Sequence, residues 1–349
     1  MAFRPEPPPV PPSPSPAPSS GTAVLWCNLG SPDAPTAQAV RPYLAQFLSD
    51  PRVVELPAAL WRPILHGVVL RTRPARSAAK YAKVWLPEGS PLKVWSARQA
   101  TLLHGRLGAD GHAVQVREAM RYGQPAIGHQ MDAFKNEGIR RMLVLPAYPQ
   151  YSGTTTASVV DAVNDWCRTI RRLPELRFVA DYHDDPGYIE ALAATVQRHW
   201  QANGRAGVLL MSFHGVPERT AKLGDPYAEQ CLATARLLAA RLQLTDAQWR
   251  LSFQSRFGKA RWLEPSTDAV LRELGASGGT IDVMCPGFTS DCLETLEEIA
   301  IEGRETFQSA GGREFRYIPC LNDDPAWISA LAAIAQRHLA GWPTTATPG

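Results

Sequence analysis

Short apolar runs alternate with longer stretches of helical periodicity from residue 22 onward. Each apolar run is rich in β-branched or aliphatic residues and leads through a turn into apolar positions spaced three and four apart, which is the spacing of one helix face. This alternation of strands and helices is typical of parallel α/β sheets. The pattern predicts eight strands, at residues 22–28, 112–119, 140–147, 176–181, 207–213, 249–255, 280–285 and 314–319.

The periodic stretches between these runs predict the helices. Right-handed crossovers would place them on both faces of the sheets. The last helix follows the polar pair Asn322-Asp323, which favours a capped start, and we expect it to pack on the first half of the chain. The predicted helices span residues 36–49, 91–107, 124–137, 155–173, 186–202, 226–242, 264–274, 291–309 and 324–339.

Four strands in each half predict an α/β fold of two doubly wound, Rossmann-like domains with four-stranded parallel sheets. A TIM barrel is the alternative fold for eight such strands. The predicted N-terminal domain covers residues 22–180, the C-terminal domain residues 181–322, and the C-terminal helix residues 323–342. Residues 1–21 are crowded with prolines, so we expect a disordered tail, with an SH3-type ligand as the less favoured interpretation.

The composition is that of an ordinary folded protein, with 45% hydrophobic and 20% charged residues among 349. A formal net charge of +3, from 36 basic and 33 acidic side chains, is too balanced for a dedicated nucleic-acid binder. The six cysteines include no C-x-x-C pair, which favours a reducing compartment over a zinc ribbon or a disulfide scaffold. The sequence has neither a signal-peptide pattern nor a membrane-spanning run, so we expect a cytoplasmic protein.

Aromatic, arginine and hydroxyl side chains collect directly after the predicted strands. In an open parallel sheet the loops at the carboxyl ends of the strands converge on the ligand. A lining of many rings and a few cations suits a large, flat, partly anionic ligand. The sequence lacks G-x-G-x-x-G, Walker and G-x-S-x-G patterns, which argues against dehydrogenases, kinases and α/β-hydrolases.

One histidine, His214, comes directly after a predicted strand, and the adjacent Gly215 allows close approach to the backbone. An imidazole can accept a proton or bind a metal ion near neutral pH. A structural histidine would explain the position equally well. His214 is therefore a candidate catalytic residue on the evidence of its place alone.

The predicted helix at residues 291–309 carries a stripe of acidic residues. Helical spacing puts Asp291, Glu294, Glu298 and Glu302 near one face. Most such stripes are solvated surfaces, but this one starts at a strand end, where carboxylates could pass a divalent cation inward. Glu294 would then be the deepest ligand.

The chain resembles the ferrochelatases, enzymes that insert ferrous iron into a porphyrin as the last chemical step of haem formation. The resemblance covers residues 23–339 and is greatest to the proteobacterial members. It implies two Rossmann-like domains with the porphyrin in the cleft between them. The stretches that carry it are, in order, NLGSPDAPT, FLSDPRVVELP, GSPLKVWSARQ, AMRYGQPAI, LPAYPQYSGTTTASV, SFHGVPERTAKLGDPY, SFQSRFGKARWLEPSTD and CPGFTSDCLETLEEI.

The resemblance also implies which residues act. The family's essential histidine falls on His214 in SFHG, and its catalytic-motif glutamate falls on Glu294 in DCLETLEEI. These two, with Glu298 as a further candidate, would meet the metal. Leu29 would lie near the macrocycle, and Arg73 and Ser90 near its propionates. The full set of implied porphyrin-binding residues is Leu29, Arg73, Ser90, Arg121, Tyr122, Tyr148, Ser152, Trp262 and Phe288.

Two departures from the animal enzymes bear on metals. Animal ferrochelatases hold an iron–sulfur cluster with cysteines of a C-terminal extension, whereas this chain ends in AGWPTTATPG. We therefore expect no such cluster and no cofactor beyond ferrous iron, which is the substrate. Cys292 stands where animal members have a histidine, and we interpret it as a small buried residue.

Residues 57–74 form a short apolar segment, too short to span a membrane, with Arg62, Arg71 and Arg73 among its residues. The resemblance suggests a lip over the active site that could touch an anionic inner-membrane surface. An ordinary loop and core helix would explain the pattern equally well. The segment and the proteobacterial motifs favour protoporphyrin IX as substrate; the alternatives are a coproporphyrin ferrochelatase and a non-catalytic porphyrin or haem carrier.

Overall fold

Two four-stranded sheets, with all neighbouring strands parallel, form the centre of the computed structural model, which describes Arg4, residues 20–258 and residues 260–345. The first sheet contains β1 (Thr22–Ser31), β2 (Gln115–Gly123), β3 (Arg141–Pro146) and β4 (Glu175–Phe178), in the order β2-β1-β3-β4. The second contains β5 (Val208–His214), β6 (Trp249–Gln254), β7 (Thr280–Met284) and β8 (Glu314–Tyr317), in the order β6-β5-β7-β8. The predicted fold class is confirmed, and the TIM-barrel alternative is wrong.

Helices connect the strands and cover the sheets. Two π-helical segments, Leu65–Val69 and Glu294–Gly303, stand between α2 and α3 and directly before α11. The α-helices of the described residues are α1 (Ala37–Ser49), α2 (Ala58–Ile64), α3 (Leu70–Val84), α4 (Pro91–Ala109), α5 (Ile127–Asn136), α6 (Thr156–Cys167), α7 (Pro186–Asn203), α8 (Glu218–Lys222), α9 (Tyr227–Arg241), α10 (Thr267–Ala276), α11 (Arg304–Ser309) and α12 (Pro325–Leu339). The predicted tail at residues 1–21 falls almost wholly outside the described residues.

Side-chain caps fix several helix starts close to where the sequence predicts them. Asp185 accepts hydrogen bonds from two backbone N–H groups of the first turn of α7, and Asp324 does the same for α12. Each is followed by a proline, which has no N–H to leave unpaired and is already set at a helical φ. These local signals explain why both helices begin within one residue of the prediction.

The last helix packs against the first half of the chain. α12 contacts α4 and β3 as well as α7. Its Trp327 is fully buried, with its ring centroid 6.4 Å from that of Trp26 in β1 and 6.0 Å from that of Tyr182. The helix thus adds its apolar face to the core beside the first sheet. The domain boundaries drawn from the sequence stay predictions.

Residues 57–74 are mostly helical. Pro63 lies inside α2 and Pro74 inside α3, and prolines in helix interiors are disfavoured, so the helical pattern was obscured. α2 has no buried residue, whereas α3 buries one face, including Ala78 and Tyr81. No helix in the described part of the chain combines the length and the apolar character that membrane crossing requires.

Gly275 allows α10 to pack closely on α11, which continues the second π-helical segment. A Cβ at this position would lie 2.5 Å from the carbonyl oxygen of Phe307 and 2.8 Å from the Cβ of Ala310. Gly105 in α4, in contrast, has no atom within 4 Å of its ideal Cβ. Gly275 is thus constrained by its neighbour, and Gly105 is not.

Gly275→Ala should therefore lower the free energy of unfolding by about 1–3 kcal/mol, because the helices must separate. Gly105→Ala should raise it by about 0.5–1 kcal/mol, because alanine is the better helix former. Urea unfolding of both variants checks the pair. Equal effects of the two substitutions would contradict the close helix contact.

Candidate active site

His214 is the last residue of β5 and pairs with Gln254, the last residue of β6. The next residue, Gly215, donates its N–H to the Gln254 carbonyl at 2.7 Å, and a Cβ there would lie 2.6 Å from that oxygen. The His214 Nδ1 lies 2.7 Å from the Gly215 carbonyl oxygen. Because a carbonyl only accepts, this bond assigns a hydrogen to Nδ1, so in the neutral ring Nε2 is the acceptor.

Glu298 is held beside this histidine by the loop after β6. Its two carboxylate oxygens accept hydrogen bonds from the backbone N–H and the hydroxyl of Ser255, both at 2.6 Å. Ser255 has a φ of +66°, a left-handed conformation that is uncommon for residues other than glycine. The strained residue thus aims both donors at one carboxylate.

Burial raises the pKa of Glu298, and the nearby charge of Glu294 raises it further. The Ser255 hydrogen bonds and the His214 imidazole act in the opposite direction, and the net pKa is above the ordinary value. Glu298 therefore lies within electrostatic reach of both His214 and Glu294. The three residues that the sequence offered as metal contacts share one region.

Glu294 faces the first half of the chain. Its backbone carbonyl accepts a hydrogen bond from the Gln254 side chain at 2.9 Å, which fixes the start of the π-helical segment beside β6. Burial raises the pKa of Tyr43 and of Tyr81, and the Glu294 charge raises both further. Since these tyrosines belong to α1 and α3, Glu294 lies where the two halves meet.

The expected stripe of four carboxylates does not form. Asp291 precedes the π-helical segment and accepts hydrogen bonds from the Tyr317 hydroxyl at 2.6 Å and the Asn322 amide at 2.7 Å. Glu302 accepts one from Lys80 at 2.7 Å. Asp291 and Glu302 are thus paired elsewhere, and Glu294 and Glu298 are the two carboxylates of the expected stripe that lie near His214.

The three candidate metal contacts do not form a closed cage. Among the described residues, the group of three such side chains whose ligand atoms all lie within 4.8 Å of one another is Asp181, His183 and Asp184. His214 and the two glutamates are more widely spaced.

Aromatic rings border His214. The Phe288 ring lies 6.4 Å from the His214 ring, between centroids. Trp262 forms a bridge with Pro217 in the loop after β5, and its indole N–H donates to the Phe257 carbonyl at 3.0 Å. Phe288 and Trp262, two of the predicted porphyrin contacts, therefore lie on the same side of the site as His214.

Arg73 reaches from the first half to the second. Its guanidinium carbon lies 5.9 Å from the centroid of the half-exposed Phe257 ring. Phe257 in turn packs on Trp262, with 4.8 Å between ring centroids. Arg73, the predicted propionate contact, therefore lies on the side of the site that Phe257 and Trp262 form.

Leu29, Arg121 and Tyr148 come together at the carboxyl edge of the first sheet. The register pairs Asn28 with Met120 and Gly30 with Tyr122, so Leu29 lies opposite Arg121. Tyr148 follows β3 and packs on the cluster that contains residues 27 and 119 of the same sheet face. Its hydroxyl is buried and has no hydrogen-bond partner among the residues that the structure describes.

Two of the remaining predicted porphyrin contacts are hydrogen-bonded within the protein, and the third lines a separate cavity. Tyr122 is buried and donates to Asp50 at 2.7 Å. Ser152 donates to Asp225 at 3.0 Å. Ser90, at the start of α4, is buried and lines a cavity of about 430 Å³ with Trp85 and other residues of that region.

Sequence reasoning gave no role to Ser255, Gln254, Tyr43, Tyr81 or Asp50. Ser255 could have been suspected, because it is the last residue of a predicted strand, at the edge where ligands bind. Its left-handed backbone and its two bonds to Glu298 depend on tertiary packing. The tyrosines carry no motif, and only the contact between the halves places them near Glu294.

Comparison with known proteins gives a consistent result. The chain matches the ferrochelatase family model over residues 21–339. It is 62% identical over 347 residues to the ferrochelatase of a Polaromonas species, covering 99% of this chain and 94% of that one. It is 63% identical over 327 residues to the ferrochelatase of Methylibium petroleiphilum, covering 93% of this chain and 90% of that one.

Solved structures share the fold. SirB from Bacillus subtilis with Fe³⁺ gives a TM-score of 0.51 at 11% identity, covering 93% of this chain and 99% of that one. CbiX, described as the terminal enzyme of sirohaem biosynthesis in denitrifying bacteria, gives 0.50 at 14% identity, covering 91% and 100%. These distant similarities support the chelatase-like architecture. The family match and the closely similar curated relatives confirm the resemblance seen in the sequence: this chain belongs to the ferrochelatase family.

Proposed function

We propose that this protein inserts ferrous iron into protoporphyrin IX and releases two protons, giving protohaem. Ferrochelatase activity, a lyase reaction of haem biosynthesis, follows from the family to which the chain belongs. The observation that carries the residue-level proposal is the convergence of His214, Glu298 and Glu294. They converge at the carboxyl edge of the second sheet, and Glu294 faces the first half.

Metal insertion requires that a flat macrocycle loses two pyrrole protons and tilts its nitrogen lone pairs out of plane. The cleft would favour a puckered porphyrin, because contacts to the remote edges of the ring can offset strain at its centre. His214 accepts the first proton at Nε2. Its Nδ1 bond to the Gly215 carbonyl keeps the ring in the required tautomer.

Glu294 and Glu298 act with the metal and the second proton. Carboxylate oxygens replace water on the ferrous ion as it enters. Burial keeps the pKa of Glu298 above that of an ordinary carboxyl, so this group also takes up a proton more readily. Ser255 orients it through two short hydrogen bonds.

Neither alternative activity is favoured. The curated relatives are named ferrochelatases at high identity. A porphyrin or haem carrier would gain nothing from a buried carboxyl with a raised pKa, which lowers stability unless a function retains it. The exposed apolar segment described below suits the more apolar protoporphyrin IX better than a porphyrin with four carboxylates.

We propose no cofactor besides the substrate metal. Iron stays ferrous while protons leave, so the reaction involves no electron transfer. All six cysteines are free, and in the described part of the chain none of them belongs to a close group of three potential metal ligands. An iron–sulfur cluster is therefore not part of the proposal.

The segment around α2 supports contact with a membrane surface. Four apolar side chains at steps of four residues are exposed: Leu56 by 53%, Leu60 by 67%, Ile64 by 48% and Val68 by 58%. Arg62 and Arg71 are also exposed among them. Such a row, bordered by cations, suits an anionic bilayer from which an apolar porphyrin is delivered.

The inward face of this segment is different. The Trp61 indole donates to the Leu48 carbonyl at 2.6 Å, and Leu65 is fully buried. These two residues anchor the segment to the first half. We propose that the protein is cytoplasmic and docks peripherally on the inner membrane through the exposed row.

His214→Ala should lower the rate of iron insertion about 100-fold or more, the usual contribution of a general base. Porphyrin binding should be nearly unchanged, because the imidazole acts on the reacting nitrogens. The assay mixes protein, ferrous iron and porphyrin without oxygen and follows the absorption spectrum, with protoporphyrin IX and coproporphyrin compared. Many turnovers by the parent protein indicate catalysis, whereas a stoichiometric change indicates a carrier.

The matched control is His104→Ala, which removes an exposed imidazole from α4 and should leave turnover intact. Full turnover by the His214 variant would refute its assignment as the base.

Glu298→Gln should reduce kcat for iron insertion on the order of 100-fold, because the amide can neither bind the cation as a carboxylate nor take up the proton. Glu302→Gln is the control on the same π-helical segment, since that carboxylate pairs with Lys80 at the surface. Steady-state kinetics over a range of iron concentrations separates the two. Similar losses in both variants would indicate a general effect of charge on the segment.

Replacing Leu60 and Ile64 with serine should abolish cosedimentation with anionic vesicles, while turnover of detergent-solubilised porphyrin persists. The control replaces Leu102 and Leu173, which are 42% and 56% exposed on other surfaces. Membrane docking is refuted by a parent protein that stays in the supernatant, or by equal binding of the two double variants.

A further inference from the structure

Asp50 is a buried carboxylate that follows α1 and ties together three elements of the first half. Its Oδ2 accepts hydrogen bonds from Arg121 at 2.7 Å, from the Tyr122 hydroxyl at 2.7 Å and from the Ser158 hydroxyl at 2.6 Å. Its Oδ1 accepts one from the Arg52 N–H at 2.8 Å. Although burial raises its pKa, these bonds and the Arg121 charge bring the pKa below the usual range, so Asp50 is an anion.

Arg121 is held from two directions. Its Nη2 donates to Asp50, and its Nε donates to the carbonyl and the hydroxyl oxygens of Ser158 at 2.8 and 2.7 Å. Its guanidinium carbon lies 4.6 Å from the centroid of the Tyr122 ring. Within the described residues, Nη1 has no hydrogen-bond acceptor. A planar group with these contacts has one orientation, with its Nη1 edge unused.

An unused hydroxyl lies close to this guanidinium. The Tyr148 hydroxyl is buried and has no hydrogen-bond partner among the described residues. Tyr148 packs on the cluster that contains Ala119, and Arg121, two residues further along β2, lies on the same face of the sheet. Burial raises the pKa of Tyr148, and the Arg121 charge counteracts part of that rise. A buried polar group without a partner is destabilising, so a ligand that pairs with it is favoured.

We infer that Asp50 and Ser158 are positioning residues, which hold the Arg121 guanidinium so that its Nη1 edge meets the bound porphyrin. This inference rests on the proposed function, since the porphyrin is the ligand concerned. Asp50 touches no reacting atom; it acts through Arg121. The Asp50 anion also balances the arginine charge, so the pair presents oriented donors without adding net positive charge to the cleft.

The test is a double-mutant cycle on porphyrin affinity, measured by protein fluorescence quenching without iron. Asp50→Asn should weaken protoporphyrin binding about tenfold, the scale of one charge-assisted hydrogen bond. Arg121→Ala should weaken it at least as much. If Asp50 acts through Arg121, the double variant will bind no more weakly than Arg121→Ala alone. In steady-state kinetics, Asp50→Asn should raise KM for porphyrin by a larger factor than it lowers kcat for iron insertion.

Ser158→Ala provides a second variant in case Asp50→Asn folds poorly, because it removes one support of Arg121 and retains the charge. It should weaken binding severalfold, and again not in an Arg121→Ala background. Asp161→Asn is the matched control: that exposed carboxylate bonds Arg52 at 2.6 Å and does not touch Arg121. It should leave affinity unchanged.

Additive losses in the cycle, or parental affinity in both Asp50→Asn and Ser158→Ala, would overturn the inference. Either result with a parent protein that binds porphyrin and inserts iron would leave the proposed function standing. A parent protein without turnover would refute the proposed function instead, and the two failures are therefore distinguishable.

Discussion

Buried carboxylates at and beside the junction of the two halves are the constraint on which the site depends. An ionised carboxyl removed from water is tolerated only where donors replace its hydration. Ser255 does this for Glu298, Tyr317 and Asn322 do it for Asp291, and Arg121 does it for Asp50. Each pairing fixes both the carboxylate and the element that supplies its donor. The bonds that satisfy the charges therefore also set the shape of the site.

Glu297 extends this constraint across the molecule. It is buried on the π-helical segment, between Glu294 and Glu298 in sequence, and accepts hydrogen bonds from Lys80 at 2.8 Å and Lys83 at 2.9 Å, both on α3. Removing a partner from a buried ion pair leaves an uncompensated charge, which is far more destabilising than loss of a surface pair. Because α3 follows α2 through the first π-helical segment, the exposed apolar row and the segment that carries Glu294 are joined by these pairs.

The sequence predicted what local signals determine. The eight strands and most helices lie close to their expected ranges, because caps such as Asp185 and the apolar alternation are local. α2 and α3 were obscured by Pro63 and Pro74. The π-helical winding of residues 294–303 was not predictable, since tertiary bonds such as Gln254 to the Glu294 carbonyl stabilise it. The expected stripe of four carboxylates failed because Asp291 and Glu302 bond other side chains. The place of His214 at a strand end made it a candidate from the sequence alone. Which side of α2 faces outward, in contrast, is known only from the packing of Trp61.

The two halves supply different kinds of chemistry. In the first half, Arg121 is locked by an anion and a hydroxyl, and a group so fixed can orient a ligand without changing its own protonation. In the second half, the His214 ring is held through Nδ1, and burial raises the pKa of Glu298. These are the two groups to which the proposed mechanism assigns proton transfer. A rigid macrocycle that must be bent and deprotonated needs both: fixed donors against which the ring can be strained, and titratable groups where its protons leave. This difference between the halves follows from their strand ends. Those of the first sheet carry an oriented cation, and those of the second carry a histidine beside buried acids.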